Sequence, residues 1–236
     1  TWKEQPVLDH PEVKQKIFLV QDEPVFAQTE NARELIEYLS LFYPALESEM
    51  FYDLLSQLKL NPKQPFSAFS KGMKRQVLMA AGLAAHPELL LIDEVFDGLD
   101  PFARRLLQGQ LAAQTVEEGM ASILTSHRLS DLENFCDEYA LLDEKRILHQ
   151  NSMFQTQQEL VKVHLAFDHP IDPAMFQNFE VLKLEIHSRM AQAILRGKRE
   201  VVEAKLRKQK PVILEIFDCT LEEVFLAQLE KREELQ

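Results

Sequence analysis

Phe66-Ser-Ala-Phe-Ser-Lys-Gly-Met-Lys-Arg-Gln76, followed by Leu89-Leu-Leu-Ile-Asp-Glu94 and Asp97-Gly-Leu-Asp-Pro101, is the run on which the reading of this chain turns. Ser70 stands where a hydroxyl can cap a helix over the apolar-periodic residues up to about Ala85, and His86-Pro87 stops that helix. A serine hydroxyl and a glycine amide at a helix N-terminus form a setting for an anion, because unpaired amides and the helix dipole both favour negative charge. Four aliphatic residues, Leu89 to Ile92, then predict a buried strand that ends in two adjacent carboxylates, Asp93 and Glu94. Burying such a pair is costly unless it meets a metal or hydrogen-bond donors, so the pair itself predicts a site. Metal-assisted phosphoryl transfer uses this pairing: one carboxylate holds the metal and the other orients the attacking water.

Working outward, Lys16 to Gln21 reads as a short strand closed by a polar residue and broken by Asp22-Glu-Pro24. Apolar positions at helical spacing predict helices over 29–43 and 47–58. Past the two acids, an amphipathic helix over 101–118 ends at Gly119, a strand follows over 121–126, and His127 comes directly after it. Residues 139–143 and 146–149 predict a strand pair around Glu144-Lys145. Further on, strands at 160–167, 179–186, 191–195 and 211–217 alternate with helical stretches near 173–177 and 198–209, the order of a ferredoxin-like α+β unit. Thr220 and Glu223 form a capping box for a last helix.

This succession resembles the ATP-binding cassette (ABC) ATPases. The resemblance is close over residues 1–150 and looser over 151–236, whose Leu-Glu-Glu-Val-Phe225 ending is similar to the C-terminal extension of ABC-2 exporter ATPases. It implies an α/β P-loop NTPase fold, with an ABC nucleotide-binding domain over 1–150 that holds a helical subdomain at about 22–85, and a small α+β accessory domain over 151–236. It implies Glu94 as general base, Asp93 as partner of Mg2+, Gln21 as the glutamine that senses the metal and the water, and His127 as the histidine that contacts the terminal phosphate. Ser70, Lys71, Gly72 and Met73 occupy the signature turn, in which Lys71 and Met73 replace the family's usual Gly and Gln, and Asp100 falls on the loop that crosses to a second subunit. Val95 replaces the usual proline after the glutamate. The partners implied are a membrane permease and a second nucleotide-binding subunit, with ATP clamped between the two copies; the place implied is the cytoplasmic face of the membrane.

The phosphate-binding sequence G-x-x-x-x-G-K-[ST] does not occur in the chain: its one Gly-Lys pair, Gly197-Lys198, is followed by Arg199. In the family that loop lies N-terminal to the part resembled here, and the chain opens on Thr1, so the fold expected is an ABC ATPase without its Walker A portion and without ATPase activity by itself. Two other readings compete. A regulatory or interaction protein of the same fold would have lost the chemistry along with the loop. A chromosome-maintenance ATPase would insert long coiled-coil heptads, for which Gln21 and Ser70 stand too close. A net charge of −12 argues against a nucleic-acid partner. The longest apolar runs are strand-sized, and Cys136 and Cys219 lack metal-ligand spacing, which predicts reduced, buried thiols.

Overall fold

Short runs of four and five mostly apolar residues build three strands: β1 (Ile17–Val20), β2 (Leu89–Asp93) and β3 (Ala121–Thr125). They lie side by side in chain order and are parallel throughout. The register pairs Val20 with Ile92 and Asp93 with Thr125, so the three strands stop at one level. This architecture is that of a computed structural model, which describes residues 1–26, 29–133, 135–143, 146–152 and 159–233.

The helices of this first unit are α1 (Pro11–Lys14), α2 (Ala32–Leu39), α3 (Ser48–Gln57), α4 (Lys71–Ala84) and α5 (Pro101–Glu118). α2 is shorter than its apolar periodicity predicts: Asn31 accepts from the Glu34 amide to set the start, and the periodic residues Phe42 and Tyr43 fall in the turns beyond Ser40. α4 runs between β1 and β2 and lies against the sheet so closely that a Cβ on Gly82 would stand 3.0 to 3.2 Å from the side chains of Phe18, Leu90 and Val20. α5, between β2 and β3, packs beside α4 and buries Ala103, Leu107 and Leu111. Gly119 ends it in the left-handed conformation, φ 71°, which a residue without Cβ adopts freely. The other face of the sheet is open. There the in-register row Leu19–Leu91–Ile123 runs across all three strands, with Leu19 46% and Ile123 59% exposed.

A second compact unit comprises residues 128–236. It starts with α6 (Leu129–Glu133) and an antiparallel hairpin of β4 (Glu138–Asp143) and β5 (Arg146–Ser152). A four-stranded antiparallel sheet of β6 (Leu160–Ala166), β7 (Glu180–His187), β8 (Met190–Arg196) and β9 (Ile213–Asp218) follows, in the order β7-β8-β6-β9. β6 and β7 are joined through a single 3-10 turn at Pro173–Phe176, and β8 and β9 through α7 (Arg199–Arg207). One face packs Val161, Val163, Leu165 and Leu195 against Phe176, Val202 and Leu206. On the other, Leu160 and Ile194 meet Val224 and Ala227 of α8 (Leu221–Glu233).

The division into units falls at His127/Arg128 rather than at the 150/151 expected from the change of pattern. The cause is packing: Tyr139 and Leu141 of the hairpin share a small core with Leu129, Leu132 and Leu221, which ties the hairpin to the last helix. The turn residues Glu144 and Lys145 lie outside the described residues. Among the described residues no helix is long and apolar enough to cross a membrane.

Candidate functional site

In open parallel sheets, ligands bind beyond the C-terminal ends of the strands. Here that edge gathers Gln21 after β1, Asp93 and Glu94 at the end of β2, and Thr125 to His127 at the end of β3. Thr125 links them: its hydroxyl donates to Asp93 Oδ1 at 2.7 Å, while the Glu94 amide donates to the Thr125 hydroxyl oxygen at 3.1 Å and to the Thr125 carbonyl at 3.2 Å. Those bonds hold Glu94 at φ 52°, a left-handed backbone that costs a glutamate about 1–2 kcal/mol. The turn they enforce aims the Glu94 carboxylate at the next strand end, where His127 Nε2 lies 2.7 Å from Glu94 Oε1. The imidazole is 77% exposed and the carboxylate 34%, so a ligand arriving from solvent can reach both.

Burial does not explain the two acids, contrary to expectation. Leu89, Leu90 and Ile92 of the strand are buried, but Asp93 at its end is exposed. What sets their geometry is the Thr125 hydroxyl and the turn at Glu94. Asp97 was not singled out by the sequence reading, yet it fixes the histidine segment: Ser126 Oγ donates to Asp97 Oδ1 at 2.9 Å and the His127 amide to Oδ2 at 3.3 Å. Its signal was available as a carboxylate three residues past Glu94 in a Gly-containing turn, a type that accepts backbone amides readily. Gln21 stands exposed one residue past Val20, level with Asp93 in the neighbouring strand, and takes no part in these hydrogen bonds.

The serine-glycine turn forms a second cluster. Ser70 Oγ accepts from the Met73 amide at 3.2 Å and caps α4, which begins at Lys71. Lys71 Nζ donates to Asp22 Oδ2 at 2.8 Å and Glu23 Oε1 at 3.2 Å. Gly72 abuts the loop after β2 so tightly that a Cβ would stand 2.8 Å from the Gly98 carbonyl oxygen. Asp100 caps α5, accepting from the Phe102 and Ala103 amides at 3.0 Å each, and takes a third bond of 3.2 Å from the Gln76 amide nitrogen. The fold thus ties the turn at Ser70 to the loop at Gly98–Asp100, while Gln21, Asp93, Glu94 and His127 gather separately at the strand ends.

Residues 1–97 match the family described as ABC transporter. Over those residues the chain is similar to ABC transporters. It is 25% identical over 218 residues to the ABC transporter ATP-binding protein YtrB of Bacillus subtilis (strain 168), a match that covers 92% of this chain and 74% of YtrB. To the linearmycin resistance ATP-binding protein LnrL of the same organism it is 31% identical over 140 residues, covering 57% of this chain and 45% of LnrL. To the Nod factor export ATP-binding protein I of Ralstonia nicotianae it is 32% identical over 130 residues, covering 54% of this chain and 40% of that protein. The chain therefore spans less than half the length of LnrL and of the Nod factor protein. In fold it is similar to a solved ATP-binding subunit of an ABC transporter, with a TM-score of 0.57 at 24% identity over 62% of this chain and 63% of that one.

Proposed function

We propose that the chain provides the Walker B, signature and histidine-loop share of an ABC ATPase that powers a membrane permease, acting as one of two nucleotide-binding subunits. The observation that carries this reading is the convergence of Gln21, Asp93, Glu94 and His127 on one edge of a parallel sheet, with Glu94 and His127 2.7 Å apart. In it, Glu94 orients the attacking water and accepts its proton, and His127 holds that carboxylate in place and faces the terminal phosphate. Ser70, Lys71, Gly72 and Met73 form an anion-facing helix start, suited to a phosphate presented by a second subunit. Asp100 supports that turn from below through Gln76.

Among the described residues no group of three or more His, Cys, Asp or Glu side chains is placed to hold a metal. Magnesium asks for less, one or two carboxylates together with nucleotide phosphates, and the exposed Asp93 carboxylate fits that demand. Bound there with ATP, the ion would supply charge neutralisation at the phosphates. The second unit has the strand order of a ferredoxin-like fold, and we read it as an accessory domain of the subunit. The resistance and export roles in the names of LnrL and the Nod factor protein favour an exporter on the inner face of the cell membrane. The exposed pair Tyr38 and Phe42, with ring centroids 5.1 Å apart, suits a permease contact, whereas Phe26 is stacked on Phe66 at 3.7 Å.

The test is the Glu94→Gln change in a polypeptide that joins this chain to an N-terminal P-loop segment. Magnesium-dependent ATP turnover should fall by orders of magnitude while nucleotide binding persists, because the base acts on water and not on ATP. The 236-residue chain alone, without that motif, should show no turnover above buffer. Equal loss of binding and turnover in the Gln variant would remove Glu94 from its assigned role.

A further inference from the structure

The loop that follows β1 and the start of α4 are far apart in sequence but joined by four polar links. Lys71 Nζ reaches Asp22 Oδ2 at 2.8 Å and Glu23 Oε1 at 3.2 Å, Arg75 Nε donates to the Asp22 carbonyl at 2.9 Å, and the Arg75 guanidinium pairs with the Asp22 carboxylate. The two cations differ in kind. Arg75 has a side chain only 8% exposed, its guanidinium lodged beside Gly98, so leaving Asp22 would strand a buried charge. Lys71 is 49% exposed on a flexible stem and can leave at little cost. It also sits at the first position of α4, where a cation opposes the helix dipole unless carboxylates stand beside it.

An anion at the Ser70–Gly72 turn would present Lys71 with a second partner at the same helix end. We infer that Lys71 is the movable half of a latch. With the turn empty it holds Asp22 and Glu23, and so clamps the loop after Gln21; with an anion at the turn it transfers to the anion, and the loop is left on Arg75 alone. Occupancy of the turn is thereby coupled to the freedom of the segment that begins at Gln21. The coupling rests on the anion-facing role given to this turn above, while the latch itself rests on the four contacts.

Amide hydrogen exchange across residues 21–26 of the full 236-residue chain tests both parts, with inorganic tripolyphosphate as the anion and phosphorus NMR line broadening as the independent record of binding. Lys71→Met should speed exchange in this segment by about two- to five-fold, the range that exposed ion pairs reach, and Glu23→Gln by less, with neither changing the far-ultraviolet dichroism. Tripolyphosphate should speed the same segment in the parent chain and leave Lys71→Met unmoved. Unchanged exchange in Lys71→Met would overturn the latch. Binding of the anion without faster exchange would overturn the coupling and leave the anion-facing role standing. Absence of binding would overturn the coupling, which requires the turn of this chain to take an anion.

Discussion

Two glycines in helices should respond to the same substitution with opposite signs. Gly109 lies in the middle of α5, exposed, and a Cβ there would meet nothing within 4 Å. Gly109→Ala therefore gains the full helix preference of alanine, about 0.5–1 kcal/mol. Gly72 is the second residue of α4, where that gain is smaller, and its new Cβ would stand 2.8 Å from a backbone oxygen of Gly98, which no rotamer change can relieve. Overpacking of this kind costs about 1–3 kcal/mol, so the net for Gly72→Ala is a loss of about 1–2 kcal/mol. At about 2–4 °C per kcal/mol for a chain of this size, Gly72→Ala should melt about 2–8 °C lower and Gly109→Ala about 1–4 °C higher. Trp2 is the chain's one tryptophan and lies in the first unit, its indole N–H donating to Glu88 at 3.2 Å, so its fluorescence reads the unit that holds both glycines. A Gly72→Ala protein that melts at or above the parent would refute the close approach of the two loops.

Asp100→Ala should cost about 1–2 kcal/mol in urea unfolding, since it removes the cap of α5 and unpairs the buried Gln76 amide, and Asp100→Asn should recover most of it; equal losses would refute the cap. Hydrogen bonds from Lys3, Lys16 and Trp2 hold the Glu88 carboxyl down at about 2, below its ordinary 4.5. The stability it supplies is thus present above about 4.5 and lost as pH falls toward about 2, so Glu88→Gln should be less stable than the parent near neutrality and match it at about pH 2 in acid titrations of melting. Burial pushes the Cys136 thiol up to about 11 and the Cys219 thiol up to about 12, so both should react with iodoacetamide far more slowly than free cysteine at mildly alkaline pH, until denaturant exposes them; native rates equal to free cysteine would contradict their burial.

Where local chemistry decides an element, the sequence was legible: Ser70 and Asp100 cap helices, Gly119 ends one, and four aliphatics before two acids make the strand. Legibility failed where tertiary contact decides. The strand pair after residue 138 looks like the close of the first domain in pattern, but the Leu221 and Phe225 contacts that draw it into the second unit lie far along the chain. Phe26 has no periodicity to reveal that Phe66 would cover it. The two acids were expected to be buried because the run before them is; an oxygen from another strand, Thr125 Oγ1, organises them instead, and no spacing within β2 encodes that bond.

The sheet of the first unit carries a constraint of chirality. Its strands stand in space in the order of the chain, β1-β2-β3. Connections between parallel strands are right-handed almost without exception, so successive crossovers that step in one direction fall on one side. α4 and α5 are such crossovers, and together they shield a single face. No rearrangement of those two connections could shelter the Leu19–Leu91–Ile123 row without adopting the left-handed crossover that L-amino acids disfavour. A cover for that row has to come from an element that joins none of these three strands.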